Sequence, residues 1–456
     1  MAVTTRGSAW PERTVILLAG ALFAVWSIPE TTALRHLLML VLAGFLGWRT
    51  WAGRHIEMLP AGLGVGRAAW WLAALSLWFV LQLPLLAWDV IWSARELWVQ
   101  WLPGLVALGL GLGLGHVTAG PLRQLSMRQA ADRAETRQAN LFSLFLVLAT
   151  TEIGVVAFQC WLDLRTQGAI DQDALLTGGK LEMSVLANLV FAMLAADVVA
   201  RLHGQRLSRL PGWMLPLPAA IGLAGLHWGG ARNGALALAA LALVFVAALL
   251  HRRLLAGRAW MLTLTAAAAV VLTVSGSGLN RRWDQVTDGL AAAWRAPLDP
   301  ALSDIARGRY PTAESGSPLD RSGYARVLFM RAAMREMRDQ PLGLGYGRNA
   351  LGHALRARGI DNIGHAHSGI LDLGVGGGVP AILLWMGFLA TLLRQSIRRL
   401  VQAGPVALFL FFFVIEYAAH SVLDSVTRDH MLQMAFFMIG LALAAPGRPP
   451  HADEHA

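Results

Sequence analysis

Along this chain, apolar stretches of about 20 residues alternate with short polar turns, and one long polar excursion interrupts the rhythm. Apolar runs of spanning length fall at 13–28, 32–51, 68–88, 97–117, 140–162, 183–202, 213–229, 233–250, 259–275, 368–393, 404–423 and 429–445. The first and seventh lie near the lower limit of length for crossing a bilayer. This pattern predicts an all-α polytopic membrane protein of about twelve transmembrane helices with one long, partly helical loop. Residues 1–275 would carry the first nine helices, 276–366 the loop, and 367–456 the last three helices and a tail. No internal repeat interrupts the series.

Composition supports the membrane reading. Of 456 residues, 56% are hydrophobic and 14% are charged, whereas a soluble domain has nearer a quarter charged. The first twelve residues are polar, and no small-residue cleavage site follows them, which predicts a retained first helix. The single cysteine, Cys160, lies inside an apolar run, so no intramolecular disulfide can form.

Charge fixes the expected orientation. The net charge is +10, and all but one of the 38 basic residues are arginine. Alternate loops contain Arg49, Arg54 and Arg67; Arg123, Arg128, Arg133 and Arg137; Arg201, Arg206 and Arg209; Arg252, Arg253 and Arg258; and Arg394, Arg398 and Arg399. Short loops between them are neutral or acidic, as in Asp163–Leu181. Arginine-bearing loops stay in the cytoplasm, so both termini are expected there and 276–366 outside. Thirteen arginines in the excursion do not oppose this, because long loops translocate regardless of charge.

The excursion is patterned. Leu290–Ser317 reads as loose, punctuated by Pro297, Pro300, Gly308, Pro311 and Gly316. A helix is expected from Asp320 to just before Pro341, with Val327, Met330, Met334 and Met337 as its apolar face and Arg331, Arg335 and Arg338 on another. Arg326 falls on the apolar side. Pro341–Gly347 is a turn-rich segment, and a second short helix is expected near Arg348–Arg358.

Several residues are candidates for chemistry. Glycines 109, 111, 113 and 115, and 374, 376, 377 and 378, lack the preceding strand and following lysine of a phosphate loop, so close helix packing accounts for them better. Asp171 and Asp173 have the spacing of a metal-binding pair, but two acids in a polar loop are common. Arg232 stands at a membrane edge, which is costly without an anion or a carboxylate, unless the side chain snorkels to the headgroups. For Arg326 a buried carboxylate partner would serve equally well. His365 and His367 lie at the mouth of span ten, where imidazole titrates near neutral pH. Outward guanidiniums bind phosphate in two-pronged fashion, and a neutral histidine is a general base. With no acidic cluster pointing to a metal and no cofactor motif, arginines would have to neutralise a leaving group.

Three segments, in order, resemble the O-antigen ligase and polymerase superfamily of bacterial inner membranes. Ala231-Arg-Asn-Gly-Ala-Leu is similar to its Ser-Arg-Gly-Ala-Leu segment. Ser322–Arg326 through Asp339–Gly347 is similar to its arginine helix followed by Pro-Leu-Gly-x-Gly. His365–Leu371 with Gly374–Gly378 is similar to its His-Asn-x-x-Leu motif and glycine-rich helix. The likeness runs from about Trp228 to Leu393. Ser368 stands where the family has Asn, and Ala231 where it often has Ser.

The resemblance implies a metal-independent, inverting glycosyltransferase acting at the periplasmic face of the inner membrane. Its donor would be O-antigen glycan on undecaprenyl diphosphate, and its acceptor a hydroxyl of lipid A–core oligosaccharide. His367 would take the acceptor proton, while Arg232 and Arg326 hold the diphosphate. Arg281 or Arg282 rivals Arg326 as the second essential arginine; with Arg348 and His365 they form the further substrate-binding candidates. Glycine-rich helices would admit the lipid tail. A polymerase or protein O-glycosyltransferase would use similar parts. A lipid or glycan transporter is disfavoured by the lack of an inverted repeat.

Overall fold

The computed structural model describes residues 10–52, 65–119, 127–168, 170–171, 175–251, 288–312, 319–399 and 404–444. Among the described residues the chain is helical. Its elements are α1 (Trp10–Trp26), α2 (Thr32–Ala52), α3 (Val65–Leu85), α4 (Val90–Glu96), α5 (Leu102–Ala119), α6 (Met127–Thr166), α7 (Lys180–Leu202), α8 (Pro216–Trp228), α9 (Arg232–His251), α10 (Leu298–Ala306), α11 (Arg321–Asp339), α12 (Ala350–Ala357), α13 (Gly369–Arg399), α14 (Gly404–Leu423) and α15 (Asp429–Leu443). A π-helical turn, Leu97–Trp101, joins α4 to α5.

Among the described residues, seven helices are long and apolar enough to cross a membrane, and three shorter apolar ones cover Arg13–Trp26, Thr32–Trp48 and Asp429–Leu443. Such lengths and the apolar surface define a multi-pass membrane protein. The expected seventh span is the 13-residue α8, and the expected ninth, 259–275, lies outside the described residues.

Among the described residues, two apolar cores are present. The larger runs through the long helices, with α7, α14 and α15 at its centre. The smaller, built from Leu302, Tyr324, Leu328, Phe329, Leu351, Leu355 and Ile363, belongs to the polar excursion. The excursion is therefore a folded unit.

Three expectations need correction. Residues 288–295 and α10 are helical rather than loose. Pro297 is the N-cap of α10 and Pro300 lies in its first turn, where proline's missing N–H is no loss. Secondly, α11 buries Tyr324, Ala325, Leu328, Phe329, Ala332, Ala333 and Glu336, not the methionine stripe, and Met334 is 43% exposed. The small alanines allow close packing on the neighbouring elements of the excursion. Its arginine face is structural: Arg331 Nη1 donates to the carbonyls of Ala293 and Ala296, at 2.5 and 2.9 Å.

The third concerns the glycines. Gly111 and Gly115 of α5 lie against the backbone of α15 near Phe437 and Leu441, and Gly440 lies against Leu108. Gly378 (φ 73°, ψ −177°) breaks α13, and the turn segment docks into the break. Leu344 N–H donates to Val375 O and Gly345 N–H to Gly376 O, both at 3.0 Å, while Val379 N–H donates to Pro341 O at 2.8 Å. From α3, Trp78 Nε1 donates to Gly377 O and Gln82 Nε2 to Leu342 O, each at 2.6 Å. Non-helical backbone is tolerated at membrane depth only where protein satisfies its polar groups. Gly111, Gly115, Gly376 and Gly378 receive protein backbone, whereas nothing lies within 4 Å of a Cβ at Gly109.

Candidate active site

Asp424, just beyond α14, is where the separated segments meet. The N-terminus of α9 reaches it through Asn233, whose Nδ2 donates to Asp424 Oδ2 at 3.0 Å and to Leu423 O at 2.6 Å. Arg326 of α11 brings Nη2 to 4.0 Å from Asp424 Oδ2, and His367 brings Nδ1 to 3.9 Å from Oδ1. The carboxylate is 9% exposed, Arg326 24% and His367 31%. Burial pushes the Asp424 carboxyl up, but His367, Arg326 and Asn233 outweigh it and hold the group below the usual carboxylate range.

Arg232 and Asn233 are consecutive. Arg232 Nη1 donates to Asp320 Oδ2 at 2.9 Å, and Asp320 is the N-cap residue of α11. This arginine is half exposed. The expected trio of Arg232, Arg326 and His367 is thus drawn together by two carboxylates. The alternative reading for Arg326, a carboxylate partner, is met as well, since an acid and a ligand site are compatible.

His367 is set with care. Its φ of 53° lies in the left-handed region, which non-glycine residues visit at some cost. Asp372 holds this turn: it accepts the Ala366 N–H at 2.6 Å and the Ser425 hydroxyl. Gly369 N–H donates to Asp424 O at 2.9 Å. Phe329, one turn from Arg326, stacks on the His367 ring at 5.8 Å and 16°. His365 lies 4.2 Å from His367, ring centre to ring centre. Burial first, then Arg428 and the other nearby cations, lower the His365 pKa to about 3, so this ring is neutral at physiological pH.

Arg348 has other partners. It pairs with Asp429 at 2.9 Å and Glu96 at 3.2 Å, tying the turn segment to α15 and α4. Arg281, Arg282 and Asp173 lie outside the described residues. No group of three or more His, Cys, Asp and Glu suited to a metal occurs among the described residues. One turn below Asp424, His420 joins Glu416 at 3.1 Å and Ser184 at 3.3 Å inside the bundle; this polar stack locks α14 to α7.

Sequence reasoning missed Asp424, Asp320, Asn233 and Asp372. The available signal was their position: Asp424 ends span eleven and Asp372 opens span ten, and acids at a membrane edge need partners just as arginines do.

An arginine-rich, histidine-bearing site at one end of a helix bundle, covered by a folded excursion, defines a class: a polytopic membrane protein with clustered cationic side chains beside its bundle. The O-antigen ligase family model matches residues 217–386, a stretch containing Arg232, Arg326 and His367. The resemblance carried by the motifs is therefore borne out over that stretch. No curated protein matches the chain.

Proposed function

We propose that the protein is an O-antigen ligase, transferring glycan from undecaprenyl diphosphate to a sugar hydroxyl of lipid A–core at the periplasmic face of the inner membrane. The observation carrying this reading is the convergence of Arg326 and His367 on Asp424, with Arg232 on the adjoining residue of α9. A proton on His367 Nδ1, the nitrogen facing the carboxylate, leaves Nε2 unprotonated and basic. The acceptor hydroxyl attacks the anomeric carbon as its proton passes to Nε2. The bond from that carbon to the phosphate oxygen breaks, and its electron pair leaves with the diphosphate. Arg232 and Arg326 stabilise the charge gained there by exchanging their resting carboxylate partners for phosphate oxygens.

An apolar recess of about 330 Å³, lined in part by Phe158, Trp161, Ile221 and Trp228, opens between α6 and α8. It ends four residues before Arg232 and supports a path for the lipid tail in place of the glycine helices.

The test is reconstitution with lipid-linked glycan and lipid A–core. His367→Ala should lower turnover by about a hundredfold or more with donor binding little changed. Arg232→Ala and Arg326→Ala should weaken both, and lysine should rescue them only in part. Normal transfer by all three folded alanine variants would sink the mechanism.

A further inference from the structure

Lys180 is the only lysine of this chain. It opens α7 and is half-buried. Its place follows from how α7 meets α9. Gly234 lies against Ser184, and Asn188 Nδ2 donates to Gly234 O at 3.0 Å. Lys180 is one turn ahead of Ser184, and Arg232 is two residues ahead of Gly234, so both lie at the same end of the helix pair. The lysine is within electrostatic reach of Arg326, Arg232, Asp424 and Asp320.

Arg232 faces Asp320 and Arg326 faces Asp424, whereas Lys180 forms no hydrogen bond or ion pair among the described residues. Each guanidinium thus has a resting carboxylate partner, whereas the ammonium is paired with none, although Glu182 stands on the same turn of α7. Holding like charges together in a partly dry place is unfavourable unless an anion joins them. An ammonium is compact and donates in three directions, so it can reach an oxygen between two planar guanidiniums.

We infer that Lys180 is a third phosphate-binding residue of this site, donating to an oxygen of an isoprenoid-linked diphosphate that Arg232 and Arg326 leave free. The inference rests on the proposed transfer reaction and adds to it. Lys180 stays protonated throughout: it loses no proton when the sugar–phosphate bond breaks, and its hydrogen bond strengthens as charge builds on the leaving diphosphate.

The chemical uniqueness of the amine supplies the test. Full-length protein in nanodiscs is treated with an amine-specific acylating reagent with and without farnesyl diphosphate, and labelling at Lys180 is mapped by peptide mass spectrometry. Farnesyl diphosphate should protect Lys180, and farnesyl monophosphate should protect it much less. Affinity for farnesyl diphosphate should fall by about 10- to 100-fold in Lys180→Met, the usual scale for a charge-assisted hydrogen bond, with partial recovery in Lys180→Arg. Equal labelling with and without saturating diphosphate, together with unchanged affinity of a folded Lys180→Met, would overturn the inference. If Arg232→Ala and Arg326→Ala lose affinity while Lys180 behaves in that way, only the lysine's role fails. If the arginine variants also bind normally, the proposed function fails with it.

Discussion

Asp424 concentrates several demands on one carboxylate. It receives Asn233, faces Arg326 and His367, and lies one helical turn from His420. Asp424→Asn keeps the shape and removes the charge that favours a proton on the facing nitrogen of His367. Turnover should fall by between about ten- and a hundredfold, within the range a general base supplies. Combined with His367→Ala, it should cost little more in turnover, because the two would act through one proton; additive losses would mean that Asp424 serves mainly through Arg326. His365 makes a separate prediction about stability. Its folded pKa is about 3, against about 6.5 for a free imidazole. The unfolded chain therefore binds the proton first, and stability present above pH 6.5 is lost as pH falls toward 3. Unfolding temperature should drop between pH 7 and pH 5, and His365→Gln should flatten that slope. An unchanged slope would mean that other groups dominate it.

Among the elements, the broken α13 and the turn segment depend on each other. Gly378 lies in a region of φ and ψ open essentially to glycine alone, and a Cβ there would strike the backbone of Pro341, Leu342 and Gly343. Gly378→Ala should destabilise the protein by about 1–3 kcal/mol or more, read as earlier unfolding and faster proteolysis of the excursion. Gly109→Ala is the control, since nothing lies within 4 Å of a Cβ at that position. Equal behaviour of the two would remove the docking account. The glycine runs, the arginine helix and the turn segment were all legible as elements in the sequence. What α11 buries was not. Two stripes fit helical spacing, and the one carrying Leu328, Phe329, Ala332 and Ala333 packs into the core of the excursion.

For the whole molecule, orientation is the first test. In spheroplasts, a cysteine at Ser303 in α10 should react with an impermeant thiol reagent, and one at the exposed His203 after α7 should not. The reverse pattern would move the site to the cytoplasmic face. The hydrophobic pattern by itself determined the helical membrane class, because a helix satisfies its own backbone in lipid and its length is set by bilayer thickness. Short motifs located Arg232, Arg326 and His367 as a candidate group. Tertiary structure alone decided their partners. Asp320, Asp424 and Lys180 lie in segments with no motif, and their meaning comes from charges brought together across α7, α9, α11 and α14, a relation that local spacing does not encode. It also decided that the glycines of α13 hold the turn segment. A glycine permits close approach, and only the packed fold determines what approaches.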